Sequence, residues 1–266
     1  MRGRNALVTG STRGIGATVA ASLAAEGCNV MLNGFGDAGV IEETRQGLAD
    51  EHEVSVAYCG LDLSKEDDVD ALTKATEDAF GGIDILINNA VIRYFHGIDK
   101  FPREEWNHAL AVNVTAPFIL TQNVLPGMQE RKWGRIVNFS SVLGMAARSG
   151  RVDYVVSKHA MLGLTRSTAA EIRNIEGITC NAICPGSVLT PNTEIKINEL
   201  AEEEGLTFED AMTAFLARRG QKRNFIQPAQ VAKLIIFLCQ DSSLDITGAV
   251  LPIDQGRSAT WLEFGQ

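Results

Sequence analysis

The sequence predicts an α/β fold, a doubly wound parallel sheet of seven strands with helices on both faces, on three observations. Short β-branched runs alternate with longer stretches of helical period along the chain, the arrangement that buries a parallel sheet under crossover helices. Apolar residues make up 45% and charged residues 21% of the 266, a globular composition with ample material for a core. The alternation breaks only between Pro185 and Gln227, too short a stretch for a second domain. One domain over 1–266 is expected, because open α/β sheets often outgrow the usual domain size without splitting.

The first strand, 6–9, runs straight into Thr9, Gly10, Ser11, Thr12, Arg13, Gly14, Ile15 and Gly16, which open a helix over 14–26. Glycines permit a tight turn and a close approach of backbone to a pyrophosphate, while the helix N-terminus offers free N–H groups. The turn is of Rossmann type, with the spacing Gly-x-x-x-Gly-x-Gly. The second strand, 29–33, ends in Asn33, Gly34, Phe35 and Gly36, not in the Asp or Glu that would accept bonds from an unphosphorylated ribose. Arg13 either faces a 2′-phosphate or is an exposed loop charge. With no second basic residue between 33 and 40, NAD is favoured over NADP. The third strand, 54–59, leads to Asp62 and Leu63, placed to meet adenine, and a helix follows over 64–80. The fourth strand, 83–89, ends in Asn88, Asn89 and Ala90, which either line the ribose or shape the turn.

A long helix over 103–131 carries Asn113, a polar residue in an apolar stretch that either bends the helix and holds a water or is a satisfied core amide. The fifth strand, 135–140, delivers Ser141 to the carboxyl edge of the sheet, where ligands of this architecture bind. Ser140 is its rival, but strand alternation turns one of the pair inward. Tyr154 and Lys158 stand at i and i+4 on a helix that begins near 152 and runs to 174, so both project from one face. A phenol is a poor base near neutrality, and a nearby cation favours its ionised form. The sixth strand, 178–184, precedes the excursion at about 186–227, read as a substrate loop or lid, with a solvated helical hairpin as its alternative. A helix over 228–240 and a seventh strand over 249–254 complete the sheet, and Pro252, lacking an N–H, puts that strand at an edge.

A formal charge of −9 argues against nucleic-acid binding, which needs a basic face. The five cysteines include no Cys-x-x-Cys pair and have no histidine cluster nearby, so no metal site is expected. The longest unbroken apolar runs fall short of the ~20 residues of a bilayer span, and no secretory leader is seen, so a cytoplasmic setting without membrane attachment is expected.

With these motifs in order, the chain resembles the short-chain dehydrogenase/reductase family: glycine turn at 9–16, Asn88-Asn89-Ala90, Asn113, Ser141, Tyr154, Lys158 and Pro185-Gly186. The resemblance implies a nicotinamide-dependent oxidoreductase. Tyr154 would be the general acid/base, Lys158 its electrostatic partner and ribose ligand, Ser141 the group that polarises the substrate oxygen, and Asn113 the anchor of a relay water. Gly10, Thr12, Arg13, Gly14, Ile15, Gly16, Phe35, Asp62, Leu63, Asn89 and Ala90 would hold the dinucleotide, with Pro185, Gly186, Val188 and Thr190 at the nicotinamide. A homotetramer built through the helices at 103–131 and 154–174 is implied as well. In pattern the chain is most similar to bacterial D-3-hydroxybutyrate dehydrogenases, from which it departs in the substrate pocket. Arg93 stands where Gln is expected, Leu143 for His, Arg151 for Lys, Ser187 for Trp and Lys196 for a second Gln. Val91 and Gln255 each replace a glycine.

Those departures suggest a roomier site that still favours a small anion, since guanidinium grips carboxylate, sulfonate or phosphate in a bidentate fork. Each of these basic residues is otherwise an exposed loop charge. An NADP-linked 3-oxoacyl reductase is the enzymatic alternative. A nucleotide-sensing regulator without turnover is the rival from another class, disfavoured by the complete tetrad.

Overall fold

The computed structural model describes residues 1–221 and 224–259; the remainder of the expected 1–266 domain, including positions 222 and 223 of the excursion, lies outside the described residues. Seven parallel strands form one sheet in the order β3-β2-β1-β4-β5-β6-β7: β1 Asn5–Val8, β2 Asn29–Leu32, β3 Val56–Tyr58, β4 Ile85–Asn88, β5 Gly134–Phe139, β6 Ile178–Pro185 and β7 Val250–Ile253. The winding reverses between β1 and β4, in register at Ala6↔Ile85 and Val8↔Ile87, and opens a crevice at their carboxyl ends.

Alternation along the strands feeds two cores. Ala6, Val8, Ile85 and Ile87 face α1 (Gly14–Ala25) and α9 (Pro228–Cys239) through Val19, Leu23, Val231 and Ile235. Leu7 and Leu86 face α3 (Glu66–Phe80) and α5 (Ala116–Arg131) through Val69, Leu72, Leu120 and Val124. Burial on both faces is why these strands read as unbroken apolar runs. Pro252 lies in β7 at the sheet edge, paired only towards Cys184.

Between β2 and β3 the sequence pattern gave no helix, yet α2 fills Ala38–His52. Only Ile41 is buried there, so no apolar stripe announces it, and the element rests on Asp37, whose carboxylate accepts from the Val40 N–H at 3.0 Å. The run expected as one helix over 103–131 is α4 (Arg103–Leu110) and α5 joined by a π-helical turn, Ala111–Thr115, with Asn113 at its centre. By length and composition this run is apolar enough to cross a bilayer, which counting unbroken apolar residues missed; Leu120, Val124 and Met128 are nevertheless buried against the sheet.

The excursion is a helical hairpin, α7 (Pro191–Glu204) and α8 (Phe208–Ala217), around its own apolar cluster of Ile197, Leu200, Ala211, Phe215 and Phe225. Its base is tied by a parallel bridge between Val188 and Ile226. Gln255, which stands where a glycine is usual, has a left-handed φ of 61° and donates from Nε2 to the Asn224 carbonyl at 2.7 Å, joining the sheet end to that base.

Candidate active site

Two connected spaces open at the carboxyl edge of the sheet, one of about 510 Å³ at the glycine turn and one of about 540 Å³ beside α6 (Val152–Ile172), sharing Ile15, Asn89, Arg93 and Thr190 in their walls.

The first space is shaped by backbone. Gly10 and Gly14 have φ of 64° and 59°, and a Cβ on Gly16 would stand 2.2 Å from the Gly10 carbonyl oxygen. No side chain accepts from the first turn of α1, so its N–H groups remain for a phosphate. Asn89 staples the turn, donating from Nδ2 to the carbonyls of Thr9 at 2.8 Å and Gly10 at 3.0 Å, and the Ala90 N–H donates to Thr9 Oγ1. Thr12 Oγ1 donates to the Phe35 carbonyl, and the exposed Phe35 ring borders the cleft with Arg13. Asp62 and Leu63 close the far end; the Asp62 carboxylate accepts from the Ser64 N–H at 3.0 Å, which holds its pKa below the usual carboxylate value. Asn33 points elsewhere, donating to the carbonyls of Cys59 and Leu61. A slot that admits only glycine, followed by an unpartnered helix N-terminus, fits a dinucleotide.

The second space holds the polar chemistry. Ser141, Leu143, Arg151, Tyr154, Lys158, Pro185, Gly186, Ser187, Val188, Thr190, Lys196 and Arg93 all line it. Ser140 Oγ donates to the Lys158 carbonyl at 2.7 Å and is spent on the helix, whereas among the described residues Ser141 Oγ accepts only from the Leu143 N–H, at 3.1 Å. Lys158 Nζ donates to the Phe139 carbonyl at 2.6 Å and lies 5.6 Å from the Tyr154 ring centre. Burial, with a further push from Arg93, brings the Lys158 pKa down to about 7, so near neutrality it is not the full cation that its spacing alone suggests. Two guanidinium groups supplement it: Arg151 and Arg93 lie 4.9 and 5.6 Å from the Tyr154 ring centre.

Asn113 lies behind the site. It is 1% exposed and outside the walls of both spaces. Its amide grips the Ile92 backbone at both ends, Oδ1 accepting from the N–H and Nδ2 donating to the carbonyl, each at 2.9 Å. These bonds satisfy the side chain, and the expected bend appears as the π turn. It fixes the segment that carries Arg93.

Sequence reasoning missed Phe95, Arg148, Phe215, Arg219 and Arg257, all in the wall of the larger space. Phe95 is sandwiched between Arg151, at 4.2 Å from its ring centre, and Lys196, at 4.7 Å. None sits in a periodic motif; the available signal was the run Arg218-Arg219 inside the excursion.

A family model described as enoyl-(acyl carrier protein) reductase matches residues 10–258. D-beta-hydroxybutyrate dehydrogenase of Cupriavidus necator is 38% identical over 260 residues, covering 96% of this chain and 98% of that protein. The enzyme of that name from Rhizobium meliloti is 36% identical over 256 residues, covering 96% and 99%. Among solved structures, L-sorbose reductase of Gluconobacter frateurii, complexed with NADPH and L-sorbose, superposes with a TM-score of 0.90 at 27% identity over 96% of each chain.

Proposed function

The chain belongs to the short-chain dehydrogenase/reductase family as an NAD(P)-dependent oxidoreductase interconverting a secondary alcohol and a ketone, and we propose that its substrate is a small anionic hydroxy acid or the corresponding keto acid. The observation that carries this reading is the convergence of Ser141, Tyr154 and Lys158 on one wall with Arg93, Arg151 and Lys196 around them. The bound nicotinamide supplies hydride transfer to or from the carbinol carbon. In the oxidative direction the alcohol proton passes to Tyr154 Oη, while Ser141 Oγ, free as a donor, holds the substrate oxygen. Arg93 and Arg151, lying on the Tyr154 ring, favour negative charge on that oxygen. Lys158, held through the Phe139 carbonyl, is placed for the nicotinamide ribose, and Asn113 acts as a positioning residue behind Ile92.

NAD is the preferred form in this proposal: the end of β2 offers a 2′-phosphate dianion only Arg13 within 33–40 and the glycine turn. Assembly as a homotetramer through α5 and α6 is supported by exposed Phe118 and Val156 on those helices, and a reducing, cytoplasmic setting by five free cysteines. Initial rates with D-3-hydroxybutyrate and NAD, beside NADP and a panel of sugar acids and hydroxysulfonates, test the assignment. Turnover of an anionic secondary alcohol is expected; turnover of neutral alcohols alone would overturn it.

A further inference from the structure

We propose that the substrate carries two anionic groups, one held beside Tyr154 by Arg93, Arg151 and Lys196, the other at a second pole of the same cavity by Arg148 and Arg219. This rests on the reading of the site as one for an anionic secondary alcohol and deepens it.

The walls of the larger space contain no Asp or Glu among the described residues, although the chain as a whole carries a formal charge of −9. The basic side chains there are therefore concentrated against the trend of the sequence. Their ring contacts divide them into two groups, though Arg148 acts on Arg151 as well as on Arg219. The near group is located by its aromatic contacts: Arg93 and Arg151 lie on Tyr154, and Arg151 and Lys196 on Phe95. The second group is anchored on α8, where the Arg219 guanidinium lies 3.3 Å from the Phe215 ring centre and donates from Nη1 to the Phe215 carbonyl at 2.9 Å. Burial, then the charges of Arg148 and Arg257, lower the Arg219 pKa to about 10, and Arg151 of the near group adds to the effect.

None of Arg93, Arg148, Arg151, Lys196 and Arg219 is ion-paired with a carboxylate among the described residues. The contrast with Arg218 is direct: that neighbour pairs with Glu204, while Arg219 turns into the cavity. In the near group, Arg151 Nε and Nη2 are buried without a hydrogen-bond partner. Buried donors of this kind call for an acceptor. One carboxylate can occupy a single guanidinium fork and one further donor, which the near group supplies in full. A monoanion would leave the Arg148 and Arg219 pole facing itself, and like charges held together without an intervening anion are destabilising.

The test compares D-3-hydroxybutyrate with 3-hydroxyglutarate, the same hydroxy acid bearing a second carboxylate, in kcat/KM. In parallel, binding of butyrate and glutarate to the cofactor-loaded enzyme is measured by calorimetry, with 3-sulfolactate as a dianion of other chemistry. At least one dianion is expected to exceed its monoanionic counterpart by about tenfold or more, the worth of one charge-assisted contact. R219Q and R148Q should each reduce that ratio by about fivefold or more. Arg148 lies on an exposed loop, so R148Q reads the charge should R219Q disturb α8. Dianions that bind no tighter than butyrate overturn the second pole and leave the alcohol chemistry standing. Tight glutarate binding without turnover of any hydroxy acid would instead retain the pole and overturn the assigned reaction.

Discussion

At the glycine turn the cleft is built from backbone: carbonyls, free N–H groups and a slot into which no Cβ fits. At Tyr154 it is built from long side chains drawn from segments around 93–95, 148–158, 196, 215–219 and 257, laid over one another's rings. The backbone half recognises a group common to all dinucleotides and is fixed by sterics. The side-chain half presents charge, and single residues in it can be replaced without disturbing the sheet. A pocket bearing Arg93, Leu143, Arg151, Ser187 and Lys196 can therefore sit beside an intact glycine turn.

The strongest way to sharpen that division is Tyr154→Phe, which removes the proton-carrying oxygen and leaves the dinucleotide slot intact. Turnover should fall by about 10²–10⁴-fold while the Kd for NAD, read by nucleotide fluorescence, stays within a few-fold; retained turnover would remove Tyr154 from the chemistry. Gly16→Ala attacks the other half. A methyl 2.2 Å from the Gly10 oxygen forces backbone apart, and overpacking of about 1–3 kcal/mol should weaken NAD binding by about tenfold or more. Wild-type affinity in that variant would break the account of the slot as steric.

Arg151→Gln keeps hydrogen-bonding capacity and deletes charge from the near pole. It should lower kcat/KM for an anionic substrate by about tenfold, mainly through KM, while the Kd for NAD is unchanged. An equal loss on neutral alcohols would show that Arg151 acts through packing on Phe95.

The smallest expected effect concerns Lys158. From about 7 up to the ordinary lysine value, the unfolded chain holds a proton that the folded chain has released, so this side chain makes stability rise with pH over that window. Lys158→Met lacks the slope. The wild type should therefore gain about 5 °C in Tm relative to the variant between roughly pH 6 and roughly pH 9. A constant difference would mean that Lys158 keeps its proton throughout.

By itself the sequence determined the succession of strands along an α/β chain, the glycine turn, and the i, i+4 pairing of Tyr154 with Lys158, because each is expressed over a few consecutive residues: apolar runs, absent side chains, one helical turn. It did not announce α2, whose stability rests on the Asp37 cap and a single buried Ile41 and not on an apolar stripe. Only the tertiary structure decided that Ser140 is spent on α6, that Asn113 clamps Ile92, and that Arg148, Arg219 and Arg257 face the same space as Arg151. Burial, which only the folded chain supplies, lowers the Lys158 pKa to about 7. The physical reason is common to all of these: burial and charge proximity arise between segments brought together by the sheet, and long cationic side chains carry no periodicity that reveals where their ends will meet.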